Sequence, residues 1–471
     1  MDNVKRLIIS FLGANDNVYK EVIYSLGEKK TAEKRKFVQV AICELLEQDK
    51  KPEEFIVFLT EGARSKSLDS LKEEWNRVIN KTITEVSIPD GASEKELWEI
   101  FNSIGNALKV EAEKDKSKKI RLIIDITHGF RALPVSMILA IQFFKNIYGF
   151  EVESVFYGAF DPQKHKTCGE SYCAPIFDLT PMMGLVDWSE SVVEWKRTGR
   201  ADTMTEKMVK LKTDLKSEYR DKLPFEDIIN GFNIFNAALD LTKVDDIINI
   251  SSNIMERLEE FISDSESFTK EWPMVSPVKE ILYFIKNDIF ITSKVNESDL
   301  NKASIENIKS MLNLARWYLK RNRIVETYSI IRETMVMCAV YIIKSKTQVD
   351  FIENRENTDT FRENCYDMLR SVCSPESYSD PGDCFGTDKE RIMKGLREWL
   401  RDKDEFRVFY KKLEDRIGKR RNSILHCFFG KNEKLNWKEP LKNFIEDAEK
   451  FISDIEKLLE MIENQAGPTK I

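Results

Sequence analysis

Along the first 180 positions the apolar residues switch between two periods. Arg6–Leu12 (RLIISFL), Phe55–Thr60 (FIVFLT), Ile83–Ile88 and Ile120–Thr127 (IRLIIDIT) are short, β-branched runs, the pattern of strands buried on both faces. Between them Thr31–Gln48, Ser67–Asn80 and Ser93–Ala112 space their apolar residues as helices do. Leu133–Tyr148 predicts a further helix, leading into strands over Glu151–Phe160 and Ala174–Leu179. Strands alternating with helices of this length predict a doubly wound, mostly parallel sheet. Asn17–Leu26 (NVYKEVIYSL) departs from the scheme and reads as a short hairpin between the first strand and its helix.

From Trp188 onward the strand pattern stops. Amphipathic helices are predicted over Ser189–Thr198, Asp202–Tyr219, Phe225–Leu241, Val244–Asp264, Pro277–Phe290 and Ile305–Lys320. More follow over Val325–Lys344, Phe361–Ser371, Lys389–Phe409 and Lys438–Gln465, with Ser374–Asp388 the clearest loop. The fold class is therefore an α/β domain followed by an all-α region, with the boundary near Gly184–Trp188.

Composition changes this picture in three ways. Eighteen glycines and thirteen prolines in 471 residues are about half of average usage, which fits a helix-heavy chain. A net charge of −7 excludes a general basic coat for nucleic acid, so any such contact must be local. Eight irregularly spaced cysteines and three histidines do not form a zinc pattern. The opening MDNVKRLIISFLG runs straight into a strand pattern, and no apolar stretch nears the ~20 residues of a membrane span. Free thiols without a leader imply a cytoplasmic protein with no membrane contact.

Neither a G-x-G-x-x-G after the first strand nor a P-loop is present. Two polar loops at strand ends are the α/β half's candidates: Ser10-Phe-Leu-Gly-Ala-Asn15 and Asp125-Ile-Thr-His-Gly-Phe-Arg131. If the strand order reverses between them, they meet at the crevice where open α/β sheets bind ligands. Gly13, Ala14, Asn15 and Gly129 would let the backbone approach a ligand. Ser10, Thr127 and His128 offer donors, and Arg131 suits a phosphate. An equally direct reading has Asp125 and Thr127 cap the following helix while His128 is a buried spacer.

In the helical half, Leu413–Phe429 (LEDRIGKRRNSILHCFF) places Arg421-Asn-Ser-Ile-Leu-His426 at a helix start after Gly418. Asn422 and His426, four apart, share a face. Eleven basic and six acidic residues between Lys394 and Arg421 give a local net charge of +5, enough to hold an RNA backbone. The bland alternative is a solvated basic helix with a half-buried histidine.

Taken in order along the chain, these segments resemble the CARF–HEPN family of CRISPR-associated ribonucleases, in its D-x-T-H-G branch. Asp125-Ile-Thr-His-Gly129 matches that motif in full, and Arg421-x4-His426 matches the R-x(4–6)-H signature of HEPN ribonucleases. Tyr19 and Tyr24, Arg35-Lys-Phe37, Leu59-Thr-Glu-Gly-Ala63, Trp188, Ala315-Arg-Trp-Tyr and Arg332-Glu333 extend the likeness. Arg420 also satisfies the spacing to His426, but Asn422 favours Arg421.

The resemblance implies a Rossmann-like CARF domain over 1–185, a helical connecting region over 186–300 and a HEPN domain over 301–471. It further implies that the first binds cyclic tetra- or hexa-adenylate through Ser10, Gly13, Ala14, Asn15, Thr127, His128, Gly129 and Arg131. The last, in a homodimer or higher homo-oligomer, would cut single-stranded RNA with Arg421, Asn422 and His426. It would use no metal or other cofactor, and leave 2′,3′-cyclic phosphate and 5′-OH ends in antiviral defence. Two other outcomes stay open at this stage: a ligand-responsive DNA-binding regulator without nuclease activity, and an enzyme that degrades the cyclic oligoadenylate itself.

Overall fold

The computed structural model describes residues 4–14, 19–114, 116–128, 132–159, 167–168, 171–268, 272, 274–289, 303–347, 359–375, 385, 388–425 and 441–464. The chain divides into two compact units, Met1–Val186 and Asp187–Ile471.

Nine strands build the sheet of the first unit: β1 (Val4–Phe11), β2 (Ile23–Leu26), β3 (Lys29–Lys30), β4 (Glu54–Leu59), β5 (Thr82–Ser87), β6 (Lys119–Asp125), β7 (Glu151–Gly158), β8 (Thr167–Cys168) and β9 (Ser171–Asp178). Their order is β3-β2-β9-β7-β6-β1-β4-β5, with β8 paired to β9 off this path. The five strands from β7 to β5 are mutually parallel, as the patterning predicts. Antiparallel pairing enters where β9 meets β7 and where β3 meets β2.

Helices α1 (Val38–Leu45) and α2 (Glu61–Val78) cover one face of the sheet, packing on Ile8, Phe55 and Val57. On the other face, α3 (Glu94–Lys114) and α4 (Ala132–Tyr148) pack on Leu7, Ile9 and Ile124. Successive residues of β1 therefore feed opposite cores, which is why its sequence is apolar throughout instead of alternating.

Two local expectations shift. The hairpin lies at 23–30 instead of Asn17–Leu26, turning at Gly27 with φ +58°, and residues 17–18 lie outside the described residues. The helix expected from Thr31 starts at Val38. Thr31 N–H is held by Tyr24 O at 3.0 Å, and Arg35 bridges Val22 in both directions, so the intervening backbone is already committed.

Helix α5 (Thr180–Thr198) spans the unit boundary and starts nine residues before the expected Ser189, because Asp178 Oδ1 caps Thr180 N–H at 2.9 Å. The second unit continues with α6 (Asp202–Asp214), α7 (Ser217–Arg220), α8 (Phe225–Asp240), α9 (Val244–Asp264) and α10 (Val275–Asp288). It ends with α11 (Ile305–Leu319), α12 (Ile324–Lys346), α13 (Asp359–Cys373), α14 (Lys389–Trp399), α15 (Asp404–Leu425) and α16 (Leu441–Asn464). One hydrophobic core runs through it from Trp188 to Ile462. Helix α12 is its axis, buried on several faces and packed by α11, α13, α14, α15 and α16.

Two predicted helices are each broken in two. Leu215 turns extended between α6 and α7 to bury its side chain. The expected Lys389–Phe409 helix stops at Leu400, whose carbonyl is taken by Arg407 at 2.8 Å. The Ser374–Asp388 loop lies largely outside the described residues. Cys43, Cys338, Cys365 and Cys373 are buried and outside any disulfide, whereas Cys173 is disulfide-bonded. Among the described residues no helix is long and apolar enough to cross a membrane.

Candidate functional site

The strand order reverses at β1. Apart from the β2–β3 hairpin at the far edge, the chain moves from β1 through β4 to β5 on one side, and α3 returns it to β6 on the other. The carboxyl ends of β1 and β6 are thus adjacent, with Ser10 in register with Asp125, at the position where open α/β sheets bind ligands.

What lies there is a buried hydrogen-bond relay. Gln39 Nε2 donates to Ser10 Oγ at 2.9 Å, and Ser10 Oγ donates to Asp125 Oδ2 at 2.6 Å. Asp125 Oδ1 accepts from Thr127 N at 3.0 Å and from the Thr127 hydroxyl. Thr127 Oγ1 in turn accepts from Gly158 N at 2.7 Å, at the end of β7. Ser10, Gln39 and Asp125 are fully buried. Ser10 is therefore a support within the relay, which corrects its reading as a ligand-facing donor. Asp125 ties strands and loop together.

Gly13 also differs from expectation. Its N–H donates to Tyr19 Oη at 2.7 Å, so the backbone donor foreseen for a phosphate is occupied by a phenol. A Cβ at position 13 would lie 2.9 Å from that oxygen. The Tyr19 ring stands edge-on to His128 with centroids 4.7 Å apart, and tilts on Phe37 at 4.9 Å. Among the described residues the buried Nε2 of His128 has no hydrogen-bond partner. Burial pushes the His128 imidazole below its usual range, against the opposing pull of the Asp125 carboxylate.

Ala14 approaches the β4 side: its Cβ would lie 3.2 Å from a Cβ placed on Gly62. Thr60 caps α2 there by accepting from Ala63 N at 3.3 Å. The structure thus brings Gly13, Ala14, Thr127 and His128 to one edge. Asn15, Gly129 and Arg131 lie outside the described residues. Tyr19, Gln39, Gly62 and Gly158 are the site residues that motif reading does not assign. Tyr19 and Gly62 lie in segments that carry the family likeness without being assigned to the site, and Gln39 is visible as a lone amide in the apolar run VQVAIC.

The second candidate lies in the helical unit. Arg421 and Asn422 occupy the last turns of α15, not a helix start: the helix runs through Gly418 without a break. Phe406, Tyr410, Leu413 and Ile417 form a buried stripe at helical spacing, and its burial outweighs the ~1 kcal/mol cost of one glycine.

Two matched contacts clamp this end of α15 to α16. Arg416 reaches Asp454 at 3.2 Å and lies 4.9 Å over the Phe451 ring. Arg420 reaches Asp447 at 2.7 Å and lies 4.9 Å over Phe444. Arg421 turns to a different face. Among the described residues its one hydrogen bond goes to Asn422 Oδ1 at 3.3 Å, and its buried Nε has no partner. Asn422 is exposed, and His426 lies outside the described residues. Among those residues, no three or more His, Cys, Asp or Glu side chains gather as a metal set.

Residues 7–162 match the family described as the CARF domain of CRISPR system endoribonuclease Csx1. The CRISPR-associated protein MJ1674 of Methanocaldococcus jannaschii is 21% identical over 309 residues, covering 65% of this chain. The chain matches only 40% of the length of that curated relative. Enterococcus italicus Csm6, solved bound to cyclic hexa-2′-fluoro-hexa-dAMP, aligns with 98% of this chain and 96% of its own at 12% identity and a TM-score of 0.40. Residues 7–162 of the sheet-containing unit are therefore similar to a CARF domain, and the chain is similar to a CRISPR-associated protein.

Proposed function

We propose that this chain is a cyclic-oligoadenylate-activated, metal-independent endoribonuclease acting on single-stranded RNA. The observation that carries this reading is the D-x-T-H-G loop at the β1/β6 reversal, inside the segment that matches the CARF family. An activator phosphate would take the Gly13 N–H from Tyr19 and approach the free Nε2 of His128. A ring of identical nucleotides suits a two-fold pair of such sites.

The RNA-cleaving part is supported by the contrast at the end of α15. Arg420 is spent on Asp447, whereas Arg421 has no carboxylate partner among the described residues and stands beside an exposed Asn422. Arg421 would neutralise the charge that builds on phosphorus as the RNA 2′-OH attacks its own phosphodiester. His426 would move the proton, and Asn422 would orient one of the two. The 5′-oxygen leaves, giving 2′,3′-cyclic phosphate and 5′-OH ends.

The test is cleavage of labelled single-stranded RNA in EDTA, with no activator, cyclic tetra-adenylate or cyclic hexa-adenylate. Cleavage dependent on one ring and lost in Arg421→Ala and His426→Ala supports the proposal. Loss of cleavage in EDTA, or undiminished turnover in His426→Ala, overturns it.

A further inference from the structure

The end of α12, the end of α14 and the start of α15 meet around one indole. Gly395 lets α14 lie against the last turn of α12, since a Cβ there would stand 3.2 Å from Thr347 Cα. One turn further on, Trp399 therefore faces the same helix end. It is half-buried, with its ring edge-on to the buried Phe406 at 5.0 Å. Lys346, the last residue of α12, places its Nζ 6.0 Å from the centre of that ring. Lys403, just before α15, places its own Nζ at 5.0 Å.

Two half-buried ammoniums thus converge on one ring with no carboxylate paired to either. Lys346 makes no hydrogen bond or ion pair among the described residues, and its contact is the Trp399 ring. Lys403 gives one of its three N–H donors to Trp399 O at the end of α14 and has no ion pair among the described residues. Arg407 nearby differs: its guanidinium is spent on Leu400 O at 2.8 Å and on Asp404 at 3.6 Å. The buried Nε1 of Trp399 also has no hydrogen-bond partner among the described residues. Burial holds both ammoniums below their usual range; the charge of Lys403 adds to this at Lys346, and Asp402 opposes it at Lys403. A lysine at a helix end ordinarily offsets the dipole while its head stays in water. Drawing two heads together out of water is unfavourable, and a bound anion would offset it.

We propose that Lys346, Lys403 and Trp399 form a binding site for a phosphate dianion, free or as the terminal phosphomonoester of a nucleotide strand. Charge is the first ground: two cations balance the nearly two negative charges of a phosphomonoester at neutral pH. Shape is the second. Separate ammoniums act as point charges, which a tetrahedral oxyanion can meet from two sides, whereas a planar carboxylate suits an arginine fork. A phosphodiester, with one charge, would leave one lysine unbalanced. Arg421 lies at the other end of α15, roughly 25 Å along the helix axis. The site is therefore separate from the one proposed for RNA cleavage, and its test does not depend on that activity.

The experiment is equilibrium dialysis of the full chain with labelled inorganic phosphate at fixed ionic strength, with folding checked by circular dichroism. Two kinds of DNA oligonucleotide, which lack the 2′-OH needed for self-cleavage, compete for the site: one carries a terminal phosphate and the other ends in hydroxyls. Lys346→Gln and Lys403→Gln should each weaken phosphate binding about 10-fold or more, the loss of one charge-assisted hydrogen bond. Lys346→Gln removes no internal hydrogen bond, so its loss reports the ligand and not the fold. Arg421→Ala should leave the affinity unchanged, and a change of indole fluorescence on binding should vanish in Trp399→Phe. Displacement by the phosphate-ended strand alone assigns the site to a strand end, and displacement by neither strand assigns it to a free phosphate. Equal displacement by the hydroxyl-ended strand marks a backbone contact and overturns the proposal. So does phosphate binding indifferent to both lysines, or no phosphate binding at all.

Discussion

Ser10 and Asp125 are 115 positions apart in sequence, yet they share a 2.6 Å hydrogen bond that joins the carboxyl ends of two neighbouring parallel strands. Both are fully buried, and Asp125 also holds both donors of Thr127. Asp125→Ala removes the carboxylate from three donors, of which Ser10 Oγ keeps Phe11 O at 2.9 Å and the two of Thr127 lose their acceptor. The expected cost is about 2–4 kcal/mol in denaturant unfolding, against about 1 kcal/mol for Ser10→Ala. If Asp125→Ala unfolded at the wild-type midpoint, the relay would not be what fixes the loop.

The buried His128 makes stability depend on pH in a definite direction. Its imidazole is held below the usual range in the folded state, so between that lowered value and about 6.5 the unfolded chain binds the extra proton. This favours unfolding. His128's contribution is therefore intact above about pH 6.5 and falls as the solution becomes more acid. The difference in melting temperature between wild type and His128→Asn should shift against the wild type from pH 7.5 to pH 5.5, and a pH-independent difference would refute the assignment.

Gly158 carries a steric demand of its own. A Cβ there would lie 2.6 Å from Val38 Cγ2 and 3.3 Å from Thr127 Oγ1, between the start of α1 and the relay. Gly158→Ala should cost about 1–3 kcal/mol by overpacking. It should also weaken activator binding, because the displaced atoms include the threonine of the motif. Calorimetric titration of the variant with the cyclic oligoadenylate checks this, and unchanged affinity with unchanged stability would show that the loop yields freely.

How much of this was legible in sequence depends on the range of the interaction. β1, β4 and β6 announce themselves because strands covered on both sides must be apolar at consecutive positions. The reversal of strand order brings Gly13 near His128, but no local pattern reports that Tyr19 comes between them. Glycine at 418 reads as a stop, and only the buried stripe through Ile417 reveals that α15 continues. The adjacent Asn422 favours Arg421 over Arg420 in sequence, but only the structure shows that Asp447 on α16 claims Arg420.

That pair offers the sharpest separation of structural and chemical roles. Arg420 is partly buried, ion-paired to Asp447 and stacked on Phe444, so Arg420→Ala should lower stability by about 1 kcal/mol through lost packing and pairing. Arg421 has no such partners among the described residues, and Arg421→Ala should leave unfolding within about 0.5 kcal/mol of wild type. For activator-dependent RNA cleavage the order inverts. Removing a cation that faces the developing phosphorane charge should cost about 100-fold or more in turnover. Arg420→Ala should fall only as far as a loosened helix end allows, and Arg420→Lys should recover part of it. Measuring both quantities on both variants decides the matter. If Arg420→Ala abolished cleavage while Arg421→Ala cut RNA normally, the two arginines would exchange roles, and the clamp on α16 would have to open for catalysis.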